Sequence, residues 1–387
     1  MRDKVIDLMQ AMGIARIVIG HYYIPTLLKY PSSGVWMPAF FFMSGYYFKS
    51  FDQFSDKLVF IFKKTKELLV PYFLYYIGLT ICCYFLELTL SIHLIGLGWD
   101  YDPLRFVAVL LLKPFFGGIS VLFVASWFIT DLWLVHIVMQ LIYNNEFQRR
   151  KIDIIYFILF LILAFFGIYW SFSSPLAPGL PKPPNIEPLR DHPMLKLVLI
   201  RLSFNLFFYF CGMAYQKYIG KYQQIIFRKT FLLPAWSALF LLKFVYKGDF
   251  DYLVFNADYR SAPCWLPLAA ASIGIYALLL TAKYLSKYVD DDGILILVSR
   301  ETYHSMCQHM LVFLCLNILK ISISHPSDFN VLDWNPFYMK NPEFDWVIYT
   351  ILGVLVPTFV TRFIRKLSGE RRQYGFPKKS IVDKLSA

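Results

Sequence analysis

Ten apolar runs, most of them long enough to cross a bilayer, divide this 387-residue chain and leave little choice of fold. A helix needs roughly 20 residues to cross about 30 Å of hydrocarbon, and a chain in lipid must satisfy its backbone hydrogen bonds within the spanning segment. Runs of this length therefore read as helices. They cover approximately residues 5–24, 35–48, 68–90, 119–143, 154–172, 196–215, 231–246, 264–282, 302–323 and 346–364. The second would rise only about 21 Å, so it either extends further or sits in a thinned, protein-lined setting. Composition agrees, with 58% hydrophobic and only 17% charged residues, against roughly 25% charged in globular chains. The expected fold is all-α, a polytopic membrane bundle of about ten transmembrane helices.

The net charge of +12 follows from topology rather than from nucleic acid, because the basic residues punctuate apolar spans and form no concentrated face. With ten spans both termini share one side. If that side is cytoplasmic, the inner segments hold 25 of the 38 Lys and Arg, the asymmetry that orients membrane proteins. Residues 1–367 then form one integral-membrane domain in a cytoplasmic (inner) membrane, and residues 368–387 a short basic cytoplasmic tail. The proline-rich stretch 173–193 reads as an extended outer loop, and residues 104–118 as an interfacial or re-entrant segment. Tyr22, Tyr23, Tyr30 and Trp36 suit an outer aromatic belt. The six cysteines show no C-x-x-C pair and read as small apolar core residues.

Ionisable side chains within spans are costly and mark candidate functional groups. The first span carries Asp7, Gln10, Arg16 and His21. At 100° per residue Gln10 and His21 fall within about 20° of one face, whereas Arg16 points away and Asp7 lies about 21 Å along the axis. Any group orienting His21 must come from another helix. Histidine has the ordinary pKa of a base that works near neutral pH, and a packing histidine is the bland alternative. Gly13 and Gly20 would allow close helix approach. Asp131 and His136 share the fourth span, and Arg201 and Lys243 would snorkel or pair with carboxylates. Glu301, His304 and Gln308 lie near one face of the ninth span, with His309 about 100° beyond. Two histidines five residues apart do not share a face, so no metal site is expected.

Several of these residues fall in segments that resemble the acyltransferase 3 family of integral-membrane acyltransferases, in particular its fucose 4-O-acetylase-like members. The stretch from Ile6 to Gln10 through Ile19-Gly20-His21 is similar to that family's first helix. Met37 to Phe48 resembles its M-P-x-F-F-F-x-S-G-x-x-F signature, the most specific of the matches. Lys63 to Tyr72 resembles the basic run and L-L-x-P-Y entry to the third helix, Trp127-Phe128-Ile129 the W-F-L segment, and Thr302 to His309 the S-x-x-I-Y-x-x-H spacing. The resemblance implies transfer of an acetyl group from cytoplasmic acetyl-CoA, a co-substrate rather than a bound cofactor, to a sugar hydroxyl of an envelope polysaccharide or glycolipid. It places His21 as general base or acyl carrier. It puts Gln10 on the acyl-CoA side; by their position beside the third span Lys63, Lys64 and Lys66 are candidate acyl-CoA contacts too, lysines being point-charge phosphate partners, with an ordinary inner-loop cluster that fixes topology as the bland alternative, and Ser44, Trp127, Asp131, Glu301 and His309 are acceptor-site candidates. The chain departs from the family at Gln10, where an Arg or Lys is usual: Gln10 donates hydrogen bonds but carries no charge. The rival class is a carrier or flippase for a lipid-linked sugar or small metabolite, and no pair of Gly/Pro-broken spans in related halves supports it.

Overall fold

In a computed structural model of the chain, residues 3–21, 33–90, 114, 122–123, 127–143, 150–173, 194–246, 263–324 and 342–368 are described, and all their regular structure is helical. The helices are α1 (Lys4–Gly20), α2 (Ser33–Tyr46), α3 (Phe54–Leu90), α4 (Trp127–Ile142), α5 (Arg150–Ser173), α6 (Met194–Ala214), α7 (Leu232–Val245), α8 (Trp265–Leu285), α9 (Ile294–Arg300), α10 (Thr302–Ser324) and α11 (Pro342–Leu367). Each apolar run carries one of them. Within α3, α5, α6, α8, α10 and α11 lie six stretches long and apolar enough to cross a membrane, and α4 is a shorter apolar helix. The protein is a multi-pass membrane protein. Tyr22, Tyr23, Tyr30, the re-entrant stretch except Pro114, the proline-rich loop and the basic tail after Ser368 lie outside the described residues.

Two elements differ from the sequence expectation. Helix α3 begins at Phe54 rather than near residue 68, because the lysine-rich lead-in has helix-forming residues and no breaker; only its later part is apolar throughout. Helix α9 was not expected, since seven residues make no span-length run, yet it packs along α1. The cysteines also divide. Cys83 and Cys307 are buried, whereas Cys82 and Cys315 are exposed on the bundle's outer face.

Helix α1 is the central element. Its N-cap is Asp3, whose side chain accepts the Val5 N–H at 2.8 Å and the Tyr46 hydroxyl at 2.7 Å, fastening the start of α1 to the end of α2. Around it pack α2, α8, α9, α10 and α11. The remaining contacts close a circuit, from α2 to α6, α4, α3, α10 and back to α1. Helices α5 and α7 lie outside this circuit and present Ile155, Ile162, Leu233 and Phe244 outward, as a lipid-facing surface requires. Segments assigned to the inner side by charge meet one another: Lys4 pairs with Asp291 at 2.8 Å, Lys217 with Asp153 at 2.6 Å, and Lys283 donates to the Gln223 carbonyl at 3.2 Å. The hydrogen bond from Lys4 holds the exposed Asp291 carboxyl below its usual range.

Backbone contact between α2 and α6 sets the tightest spacing. A Cβ on Gly45 would run into the carbonyl of Tyr209, and one on Gly212 into the carbonyl of Phe42. Gly13 has the same role more mildly, against the Phe40 ring, whereas a Cβ on Gly20 would meet nothing among the described residues, so of the expected pair Gly13 serves close approach. Gly45→Ala or Gly212→Ala should therefore destabilise the bundle by at least about 2 kcal/mol, as overpacking against an unyielding backbone does. Gly20→Ala should leave stability within about 0.5 kcal/mol, as at an uncrowded position. Thermal unfolding of the purified variants in detergent checks both, and equal melting temperatures for all three would contradict the α2–α6 contact.

Candidate functional site

His21 caps the C-terminal end of α1, its N–H reaching the carbonyls of Ile17 and Val18, both at 3.3 Å. Its ring lies against the ring of His309 on α10, with centroids 5.1 Å apart and planes tilted by 35°. His309 is fully buried, and its Nδ1 lies 2.9 Å from the Ser305 carbonyl. A carbonyl only accepts, so Nδ1 carries the hydrogen and Nε2 presents a lone pair. Among the described residues that Nε2 has no hydrogen-bond partner. Leaving a buried acceptor unmet costs about 1–3 kcal/mol, and such a group points to a ligand or a catalytic task. Phe313 packs edge-on to His309 at 5.9 Å, which fixes the imidazole on its other side.

A separate network gathers around the start of α10. Glu301 is fully buried and paired with Arg365 of α11. Arg365 also reaches His304 Nε2 at 2.6 Å; His304 Nδ1 lies 2.7 Å from the Tyr75 hydroxyl, and Gln308 donates to the same hydroxyl at 2.6 Å. This chain ties α3, α10 and α11 together, running from Glu301, two helical turns before His309, to its neighbour Gln308. Glu301 is thereby engaged with cations of its own bundle rather than gathered beside the histidine pair.

A third cluster surrounds Asp131 on α4. Asn205 donates to its carboxylate at 3.5 Å, and Arg201 of α6, fully buried, lies over the Trp127 ring at 4.5 Å with its charge facing Asp131. Arg201 does not snorkel. Tyr72 and Tyr76 of α3 are buried nearby, and Tyr72 bonds the Pro114 carbonyl. His136, one turn beyond, bonds the Tyr209 hydroxyl at 2.7 Å, a packing role. Of the acceptor-site candidates, Trp127 and Asp131 share this cluster, His309 joins His21, and half-buried Ser44 makes no hydrogen bond to either group among the described residues. On the donor side Gln10 is half-buried on the same face of α1 as His21, with Ile14 and Ile17 buried between them. Lys64 and Lys63 share Glu67, at 2.9 and 3.8 Å, and Lys66 is exposed. Arg201, Asn205, Tyr72 and Arg365 were not legible as site residues, because each acquires its role only through a helix distant in sequence.

The acyltransferase 3 family model, an acyltransferase domain, matches residues 3–362. The chain belongs to the acyltransferase 3 family. No curated protein and no solved structure matches it. This acyltransferase brings its five motif segments into one connected core: Phe40 and Phe41 meet Phe128 at 5.5 and 4.9 Å, Tyr303 donates to the Leu68 carbonyl at 2.8 Å, and His21 meets His309.

Breaking the buried Glu301–Arg365 pair should show whether it serves the scaffold. Glu301→Leu or Arg365→Leu alone should lower unfolding stability by about 3 kcal/mol, through the uncompensated partner, while the double variant recovers most of the loss. A thermal double-mutant cycle in detergent measures this. Additive losses would mean that the two side chains act independently.

Proposed function

We propose that this membrane acyltransferase moves an acetyl group from cytoplasmic acetyl-CoA to a sugar hydroxyl of an envelope polysaccharide or glycolipid in the inner membrane, with both chain termini cytoplasmic. The observation that carries the reading is the meeting of two imidazoles from the ends of the chain, one with an unmet nitrogen. In the reaction the acceptor oxygen attacks the thioester carbonyl as His21 takes the hydroxyl proton. Collapse of the tetrahedral intermediate breaks the C–S bond, and the proton passes to the departing thiolate, giving an O-acetyl ester and CoA thiol. His309 serves His21 as the orienting acid serves a catalytic histidine elsewhere. Its Nδ1–H is committed to Ser305, so Nε2 is available to accept the N–H of His21 once that ring is protonated. Holding donor and acceptor in the bundle converts an encounter into a positioned reaction and supplies much of the acceleration.

Asp131, with Trp127, Asn205 and Arg201, is proposed to meet the acceptor sugar, whose hydroxyls suit carboxylate and amide partners and whose ring suits an aromatic face. Ser44 and Glu301 belong to the acceptor side at one remove. Gln10 and the Lys63, Lys64 and Lys66 run are proposed to contact the donor. Gln10 offers hydrogen bonds where relatives carry charge, which weakens phosphate attraction on this face.

The test is thiol release from acetyl-CoA by the purified full-length protein with an envelope glycan extract, together with mass spectrometry of the glycan for the added acetyl. His21→Ala should lower transfer by roughly 10²–10⁴-fold, the usual contribution of a general base. His309→Ala should lower kcat at least tenfold, with acetyl-CoA affinity little changed. Undiminished transfer in His21→Ala would refute the mechanism. Movement of labelled glycolipid across vesicles without thiol release would instead establish a carrier.

A further inference from the structure

A small open cleft of about 50 Å³ lies at the end of α8, lined by Phe227, Lys229, Leu232, Lys283, Tyr284 and Lys287. Three lysines converge on it from two separate stretches, and among the described residues none forms an ion pair with a carboxylate. Asp3 is the carboxylate whose field reaches Lys283, and it already accepts from Val5 and Tyr46. Two of the lysines are held by aromatic rings, while Lys287 is exposed at the mouth of the cleft. Lys229 sits over the Tyr284 ring at 5.1 Å, and Lys283 over the Phe227 ring at 5.4 Å while donating to the Gln223 carbonyl. The segments that carry the cleft are also tied together: Tyr276 donates to the Ile226 carbonyl at 2.6 Å, and Trp236 to Thr281 at 3.1 Å. Like charges crowded into one cleft repel one another, and an anion between them removes that cost.

We propose that this cleft is a phosphate-ester site, in which Lys229, Lys283 and Lys287 grip the phosphate and the Phe227 and Tyr284 rings wall its organic portion. At about 50 Å³ it has room for a single phosphate group, with the organic portion lying along the rings outside. Two sources carry this chemistry, an anionic phospholipid at the membrane surface and the phosphates of acyl-CoA. The second rests on the donor proposed above.

The test uses the full-length protein in neutral detergent. An amine-acetylating reagent is applied to the wild type alone, with acetyl-CoA, and with micelles containing phosphatidylglycerol or phosphatidylcholine, and labelling is read lysine by lysine by mass spectrometry. Lys229, Lys283 and Lys287 should be protected at least severalfold by one of the two anionic ligands, acetyl-CoA or phosphatidylglycerol, and not by zwitterionic phosphatidylcholine, with the exposed Lys366 unaffected. Protection by acetyl-CoA alone identifies the nucleotide phosphates, and protection by phosphatidylglycerol alone identifies the lipid headgroup. A Lys229→Gln/Lys283→Gln/Lys287→Gln variant should bind the protecting ligand at least tenfold more weakly, and the corresponding triple Arg variant should retain binding. Equal labelling of the three lysines under every condition overturns the site, even if acetyl transfer through His21 proceeds; loss of transfer in His21→Ala with protection intact leaves the site standing.

Discussion

Helices in lipid gain almost nothing from covering apolar surface, because hydrocarbon solvates a leucine as well as a neighbouring helix does; they hold together by close fit and by polar bonds. In this acyltransferase the closest fit is between α2 and α6, where Gly45 and Gly212 let the two backbones touch. That contact fixes α2. Through Phe40 on Gly13 and through Tyr46 on Asp3, α2 in turn fixes the depth and rotation of α1. Gly353 completes the setting by admitting both Val18 of α1 and Phe313 of α10 to the same spot on α11. The histidine pair sits at the end of this sequence of contacts, and its geometry is inherited from them.

Polar groups then divide the work. The Glu301, Arg365, His304, Tyr75 and Gln308 network locks α10 to α3 and α11, so the ring of His309 is presented by a helix that cannot roll. The buried Arg201 over Trp127 performs the same service between α4 and α6, with Asp131 and Asn205 facing it. Both clusters place charge where its desolvation must be offset by partners. The histidine pair also has unused polar capacity: His309 holds a carbonyl with one nitrogen, and among the described residues its other nitrogen is unmet, as is the Asn205 side-chain oxygen beside Asp131.

The helices were legible from hydropathy alone, since a run of apolar residues in lipid has no other stable conformation. Helix α9 was not, being shorter than any span, and the early start of α3 was masked by its lysines. His21 and His309 were each visible as costly polar residues in apolar runs, and the first span could be seen to need a partner from elsewhere. Their meeting was not visible, because helical periodicity places residues around one axis and says nothing of which axes adjoin. Glu301 shows the same limit. Its position and charge mark it as an acceptor-site candidate, and the cation that pairs with it lies on α11, which only packing reveals.

Lysines near the inner ends of spans look alike in sequence, each adding to the bias that orients the chain. Packing separates them. Lys63 and Lys64 share Glu67 on an open helix face, so part of their charge is already answered, while Lys229, Lys283 and Lys287 converge without a carboxylate. The cleft of those three lies close to the start of α1, as the reach of Asp3 to Lys283 and the Lys4–Asp291 pair require. His21 closes the other end of the same 17-residue helix, about 25 Å away along its axis. A donor held by its phosphates at the first point and delivering acyl at the second must be a long, flexible molecule. An acyl phosphate is too short to satisfy both ends, whereas the donor proposed above, a thioester carried on an extended arm from a nucleotide, has the required form.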